Sequence, residues 1–146
     1  MFKKTSLIIL VVSFLLTGCT TSTVTSVSND GGNVFALPAE VVDRMLMDAM
    51  SAEISGGGIS RGSTVYPSYI GTVSMGALDT DTITASARPA KGRRADGEII
   101  SGYVFEVQRH GSAPIRGGPA ANRIHAKLQA DAERTGTGAE FIEFSQ

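Results

Sequence analysis

Glu98-Ile-Ile-Ser-Gly-Tyr-Val-Phe-Glu-Val-Gln-Arg109 is the longest strand-like run in this chain. Ile99, Tyr103, Phe105 and Val107 fall on one parity, and Glu106 and Gln108 on the other, continued by His110. A period of two places successive side chains on opposite faces of a strand, so this segment predicts a strand with one buried face. Gly102, on the opposite parity, marks a point where a bulge or a close backbone approach is expected. Thr82–Ala87 alternates in the same way, with Ile83, Ala85 and Ala87 opposed to Thr82, Thr84 and Ser86. Tyr69–Met75 is a third such run, and Gly76–Asp81 between these two is short enough for a hairpin. Ser63–Tyr66 reads as a further brief strand cut by Pro67, and Ala139–Phe144 as a final one.

Two segments change the period to 3.6. After Pro38, which suits the first helical position, Val42, Met45, Leu46, Ala49 and Met50 recur on one helical face, with Met47 outside it. Glu40 falls in the first turn, where a negative charge suits the helix dipole, and Gly56–Gly58 ends the pattern. Pro119 opens a second helix with Ala121, Ile124, Leu128 and Ala132 as its apolar face, closed by Gly136 and Gly138. The expected architecture is an α+β two-layer domain over residues 34–146. It has a mostly antiparallel sheet of 4–5 short strands and two helices on one face, in the order α-β-β-β-α-β.

The net charge of −1, from 13 bases and 14 acids, conceals a separation along the chain. Asp30–Asp81 holds seven acids against Arg44 and Arg61, whereas Arg88–Arg123 holds seven bases against Asp96, Glu98 and Glu106. Arg88-Pro-Ala-Lys-Gly-Arg-Arg-Ala-Asp-Gly97 reads as a loop, because proline and glycines punctuate four bases. Arg88, Lys91, Arg93 and Arg94 are therefore the candidate ligand-binding residues, for an anionic glycan, phosphate or lipid group. The competing reading is a solvated hairpin tip. No aromatic residue interleaves with the bases and the chain is acidic overall, so nucleic acid is not an expected partner.

The amino terminus carries a different kind of information. Met-Phe-Lys-Lys-Thr-Ser precedes an apolar run from Leu7 to Leu16 and then Leu16-Thr17-Gly18-Cys19. A basic n-region, a ten-residue h-region and small residues before a break make a secretory signal peptide, since the run is too short to span a bilayer, which takes about 20 residues. Leu-Thr-Gly-Cys resembles the lipobox of bacterial lipoproteins, a resemblance confined to the first nineteen residues. It implies cleavage of residues 1–18, acylation of Cys19 as the first mature residue, and a mature charge near −3 once Lys3 and Lys4 leave. Thr20 resembles the residue found in lipoproteins sent to an outer membrane. Cys19 is the sole cysteine, so no internal disulfide can form, and acylation removes a free thiol from an oxidising compartment. Thr20–Asn33 is rich in hydroxyls and glycines and reads, with Cys19, as a flexible tether over residues 19–33.

No motif demands catalysis, metal or cofactor. Glu106, His110 and Ser112 form the nearest nucleophilic set, but Gly-Ser-Ala-Pro lacks the Gly-x-Ser-x-Gly elbow, and Glu106, Gln108 and His110 read as a solvated row. His125, beside Ile124, reads as a partly buried structural histidine. Asp79-Thr-Asp81 lacks the remaining ligands of a calcium loop and reads as part of a turn. Ser55–Ser63 is glycine-rich but follows a helix and lacks the P-loop lysine. A carboxylate pair for glycoside cleavage, such as Glu98 and Glu106, is not supported by spacing alone. The expected function is a non-catalytic, lipid-anchored envelope protein, held at the membrane by the acyl chains on Cys19 and meeting an envelope protein partner. The alternatives are an anion-binding module and a small hydrolase.

Overall fold

The structure, a computed structural model, describes residues 23–26, 33–55, 58–74, 80–111 and 114–146. The expected α+β class is what it shows. Two helices cover one face of an antiparallel sheet, and the elements after α1 follow the expected sequence with one extra short strand. The helices are α1 (Ala39–Glu53) and α2 (Pro114–Thr135). The strands are β1 (Thr23–Ser26), β2 (Asn33–Val34), β3 (Ser60–Arg61), β4 (Ser68–Ser74), β5 (Thr80–Arg93), β6 (Ile99–Gly111) and β7 (Ala139–Phe144). The path through the sheet is β1-β6-β5-β4-β3, with β7 pairing β5 and β2 pairing β7.

The apolar stripe of α1 lands where its period places it: Val42, Met45, Leu46, Ala49 and Met50 are its buried residues. Met47, expected outside that stripe, is partly buried against the same core. Pro38 is the N-cap, one position before the first helical residue, and its carbonyl accepts from the Val41 and Val42 amides at 3.1 Å. The buried side chains of α1 meet Ala121, Ile124, Leu128 and Ala132 of α2 over Tyr69, Ile83, Ala85, Phe105 and Val107 of the sheet. The odd-numbered residues of β5 and β6 therefore face the helices. Removing such a side chain from water contributes about 1.5–3 kcal/mol each.

Three stretches after α1 depart from their expected structure. The strand expected at Ser63–Tyr66 is a bend, and the short strand is Ser60–Arg61, paired with Ile70 and Tyr69. Helix α2 begins at Pro114, five residues before Pro119, which lies inside it. Proline suits the first helical position, and Pro114 holds it here. The basic loop expected over 88–97 is mostly strand, because β5 continues to Arg93 and pairs with β6 without a break from Asp81↔Gly111 to Arg93↔Ile99.

Proline is normally confined to edges because it lacks a donor. Here the Ala87 amide donates to Pro67 and the Pro89 carbonyl accepts from Ser145, so both residues direct main-chain groups away from β6. Along that edge β4 ends opposite Ser86 and β7 begins opposite Ala90. Pro89 falls in the gap, where no donor is called for.

Beyond Pro89 the even-numbered residues bury a second, smaller core. β5 pairs β7 at Ala90–Arg93, with a bulge at Lys91/Gly92, β7 pairs β2, and Phe35, just after β2, bridges to Tyr103 of β6. These pairings close into a ring of β6, β5, β7 and residues 33–35, filled by Val34, Ala90, Ile100, Val104, Ala139 and Phe141. So narrow a ring admits only small groups at its closest points. A Cβ at Gly102 would overlap the Phe35 carbonyl, and one at Gly92 would sit 2.7 Å from Cβ of Val34. The close backbone approach expected at Gly102 is thus found, with residue 35 as the approaching strand.

Thr23–Ser26, expected as part of an unordered tether, forms β1 and pairs antiparallel with Gln108–Gly111. Cys19 and residues 27–32 lie outside the described residues.

Candidate functional site

The four candidate anion-binding residues do not converge. Arg88 lies on the even face of β5, its Nη1 3.3 Å from Glu106 Oε1 and its guanidinium 3.6 Å above the Phe144 ring. Lys91 points from the opposite face, with Nζ 3.1 Å from Glu143 Oε1 of β7. Arg94 leaves the end of β5 and meets Glu98 Oε2 at 2.6 Å across the turn. Arg93 lines a cavity of about 220 Å³ with Glu140, Phe141 and Ile142, and is the member of the set without an ion pair among the described residues. Such exposed pairs contribute only about 0–1 kcal/mol each to stability. Even so, an arriving anion must displace three carboxylates, and Arg88 and Lys91 leave opposite faces of β5.

The nucleophilic set fares similarly. Glu106 and His110 share a face of β6 four residues apart, about 13 Å at the strand rise of roughly 3.3 Å per residue. Hydrogen-bonded contact between their side chains is out of range, and Glu106 is engaged by Arg88. Ser112 lies outside the described residues. Glu98 and Glu106 are eight residues apart on one extended segment, about 26 Å, far beyond the roughly 5–9.5 Å of glycosidase carboxylates. Among the described residues no group of three or more His, Cys, Asp or Glu side chains is placed to hold a metal ion. Of the glycine-rich Ser55–Ser63 stretch, Gly56 and Gly57 lie outside the described residues, and Arg61 is turned back onto Asp43 at 2.9 Å.

Two arrangements were not anticipated. Asp81, read as part of a turn, is in β5 and fully buried, and Arg109 of β6 is 7% exposed; Arg109 Nη1 donates to Asp81 Oδ2 at 3.0 Å. Gly111 and Gly117 press on the carboxylate, and a side chain at either would overlap it. The first turn of α2, to which Gly117 belongs, also favours a negative charge beside it. A signal existed in the chain: Asp81 precedes Ile83 by two and Arg109 follows Val107 by two, so each continues the buried parity of its strand. The second arrangement is Asp43, Arg61 and Tyr69. The Tyr69 hydroxyl donates to Asp43 Oδ2 at 2.9 Å and Arg61 Nη2 donates to the same carboxylate. Burial, followed by the hydrogen bond to Asp43, raises the Tyr69 pKa above its ordinary value. This network links β3, β4 and α1, beside a cavity of about 310 Å³.

His125, expected partly buried, is 7% exposed, and its Nε2 has no hydrogen-bond partner among the described residues. Burial lowers its pKa from the ordinary value of 6.5. A histidine depressed in the folded state binds more protons when unfolded, so stability rises with pH across the interval between the two values. The contribution is complete above about pH 6.5 and is lost as pH falls below it. Urea midpoints measured from pH 8 to pH 5 are expected to decline most steeply below pH 6.5, and His125→Leu to flatten that decline. An unchanged slope in the variant assigns the pH dependence elsewhere.

A cavity of about 390 Å³ lies between the end of α1, the end of β4 and the first half of α2. Its polar lining is Glu53, Ser55, Thr72, Ser74 and Arg123, and Arg123 Nη2 meets Glu53 Oε2 at 2.8 Å, tying the two helices together. Among the described residues no helix is long and apolar enough to cross a membrane. Comparison with family models, with curated proteins and with solved structures finds no match to this chain.

Proposed function

We propose that this protein is a non-catalytic, lipid-anchored component of the cell envelope that acts through protein–protein contacts, as an accessory or assembly factor. The observation that carries the reading is the amino-terminal sequence: two lysines, a ten-residue apolar run and Leu-Thr-Gly-Cys ending on the sole cysteine. Two or more acyl chains on Cys19 give stable anchoring, since each buried methylene contributes about 0.8 kcal/mol. In an envelope with two membranes, Thr20 directs the mature protein to the outer one, facing the periplasm.

Contact with a protein is supported by the far end of the β5–β6 ribbon. Ile99 is 59% and Ile142 40% exposed there, close to Arg93, Arg94, Glu98 and Glu140. Exposed apolar side chains rimmed by mixed charge suit a polar-edged protein interface.

The test is Cys19→Ala. The native chain is expected in the membrane fraction, released by detergent and not by salt or carbonate, and to incorporate labelled palmitate. The variant is expected in the soluble fraction without label. A variant that still sediments with membranes rejects the anchor.

A further inference from the structure

We infer that β1 is a strap that docks the tether onto β6 and thereby sets which end of the domain meets the membrane. The inference rests on the acylation of Cys19 proposed above. β1 runs antiparallel to β6, with Thr23 opposite Gly111 and Ser26 opposite Gln108, so the chain reaches the sheet from beyond its Gly111 end. Only Thr20, Thr21 and Ser22 separate Cys19 from Thr23. Four steps of extended chain span at most about 14 Å. From Gly111 to Ile99 the β6 strand then runs away for twelve residue steps, roughly 40 Å at 3.3 Å each. The docked strap is thus much shorter than the ribbon it carries.

The two ends of that ribbon differ. Near Gly111 lie Ser74 and Thr80, the first turn of α2, and the 390 Å³ cavity with its hydroxyls and the Glu53–Arg123 pair. At the other end lie the Arg94–Gly97 turn, exposed Ile99 and Ile142, and the cavity beside Arg93. The strap holds the first end against the bilayer surface and presents the second outward, where a partner meets it.

The described flank of the ribbon has little to draw it down flat. Next to β1, on the face not covered by helices, the side chains that β5 and β6 present are Thr82, Thr84, Gln108 and His110, all polar. At the tip the bases Lys91, Arg93 and Arg94 are matched by Asp96, Glu98, Glu140 and Glu143, so no net positive charge seeks anionic head groups. With β1 released, the fourteen residues 20–33 would behave as a coil with a root-mean-square span of about 20 Å, and either end of the domain would reach the surface.

The sole cysteine makes the test direct, because a second cysteine becomes the only free thiol in the acylated chain. The full-length protein, purified from membranes and reconstituted in phosphatidylethanolamine/phosphatidylglycerol vesicles carrying a head-group nitroxide, is labelled at His110→Cys or at Ala95→Cys with one fluorophore. Both positions are exposed. Quenching at residue 110 is expected to exceed that at residue 95 by at least threefold. Replacing Val24 and Thr25 together with proline removes a ladder amide whichever of the two faces β6, and is expected to bring the two signals within about 1.5-fold of each other. Equal quenching in the unaltered background, or a difference that survives the two prolines, overturns the strap while the anchor stands. A chain that takes up label at Cys19 and does not sediment with the vesicles overturns the anchor, and the strap with it.

Discussion

Arg109→Met is expected to destabilise the domain by about 3–5 kcal/mol, a large part of the roughly 5–15 kcal/mol that holds a domain of this size together. The loss comes less from the missing contact than from what stays behind. Asp81 is fully buried, and its carboxylate lies under Gly111 and Gly117 without room to turn to solvent. Methionine matches the length of the arginine stem but takes the Arg109 guanidinium away from a carboxylate that stays buried. Asp81→Asn in the same chain keeps the shape of the acid and removes its charge, so the double variant is expected to regain half or more of the loss. Urea unfolding of the two single variants and the double at pH 7 measures this directly. A double variant no more stable than Arg109→Met would place the penalty in packing and not in the buried charge.

The second large effect is expected at Gly102. Its Cβ would lie 2.6 Å from the Phe35 carbonyl carbon and 2.9 Å from the Ala36 nitrogen. Both are main chain, so no rotamer change relieves the overlap. Tyr103 and Phe35 exchange both backbone hydrogen bonds at 3.0 Å, and this bridge closes the ring. Gly102→Ala must push residues 35 and 36 away from β6 and weaken those two bonds. Overpacking of about 1–3 kcal/mol and two hydrogen bonds at about 0.5–1.5 kcal/mol each give a loss of roughly 3 kcal/mol. Gly136, with nothing within 4 Å of its Cβ position, supplies the control, and alanine there is expected to change stability by no more than about 0.5 kcal/mol. Thermal or urea unfolding of both variants decides. A Gly102→Ala protein as stable as Gly136→Ala would mean that the ring is not closed through Phe35.

The elements that were legible are those whose pattern is local. Five apolar residues of α1 share one 3.6-residue face, and Ile83, Ala85 and Ala87 share one two-residue face, so each announces its element before any partner is known. Pro89, Ala90 and Gly92 were misread as loop for an equally local reason. Proline and glycine normally break strands, and Ala90 and Gly92 offer too little apolar surface to mark a buried face. Their burial comes from a ring so narrow that only small residues fit, and from a gap between β4 and β7 that spares Pro89 a donor. Arg88, Lys91 and Arg94 looked like a free cationic loop because Glu106 and Glu143 are distant in sequence and Glu98 lies across a turn.

The sequence by itself determined the α+β class and the two helix faces, along with the expectation of a lipidated Cys19, because short-range periodicity and a contiguous motif suffice for each. Only the tertiary structure decided the rest. It returned Val34 and Phe35 to opposite cores, joined Asp81 to Arg109 across 28 positions, and laid Thr23–Ser26 along β6. Those contacts depend on which strands become neighbours, and strand pairing is chosen by the whole chain burying its faces at once, not by any stretch alone.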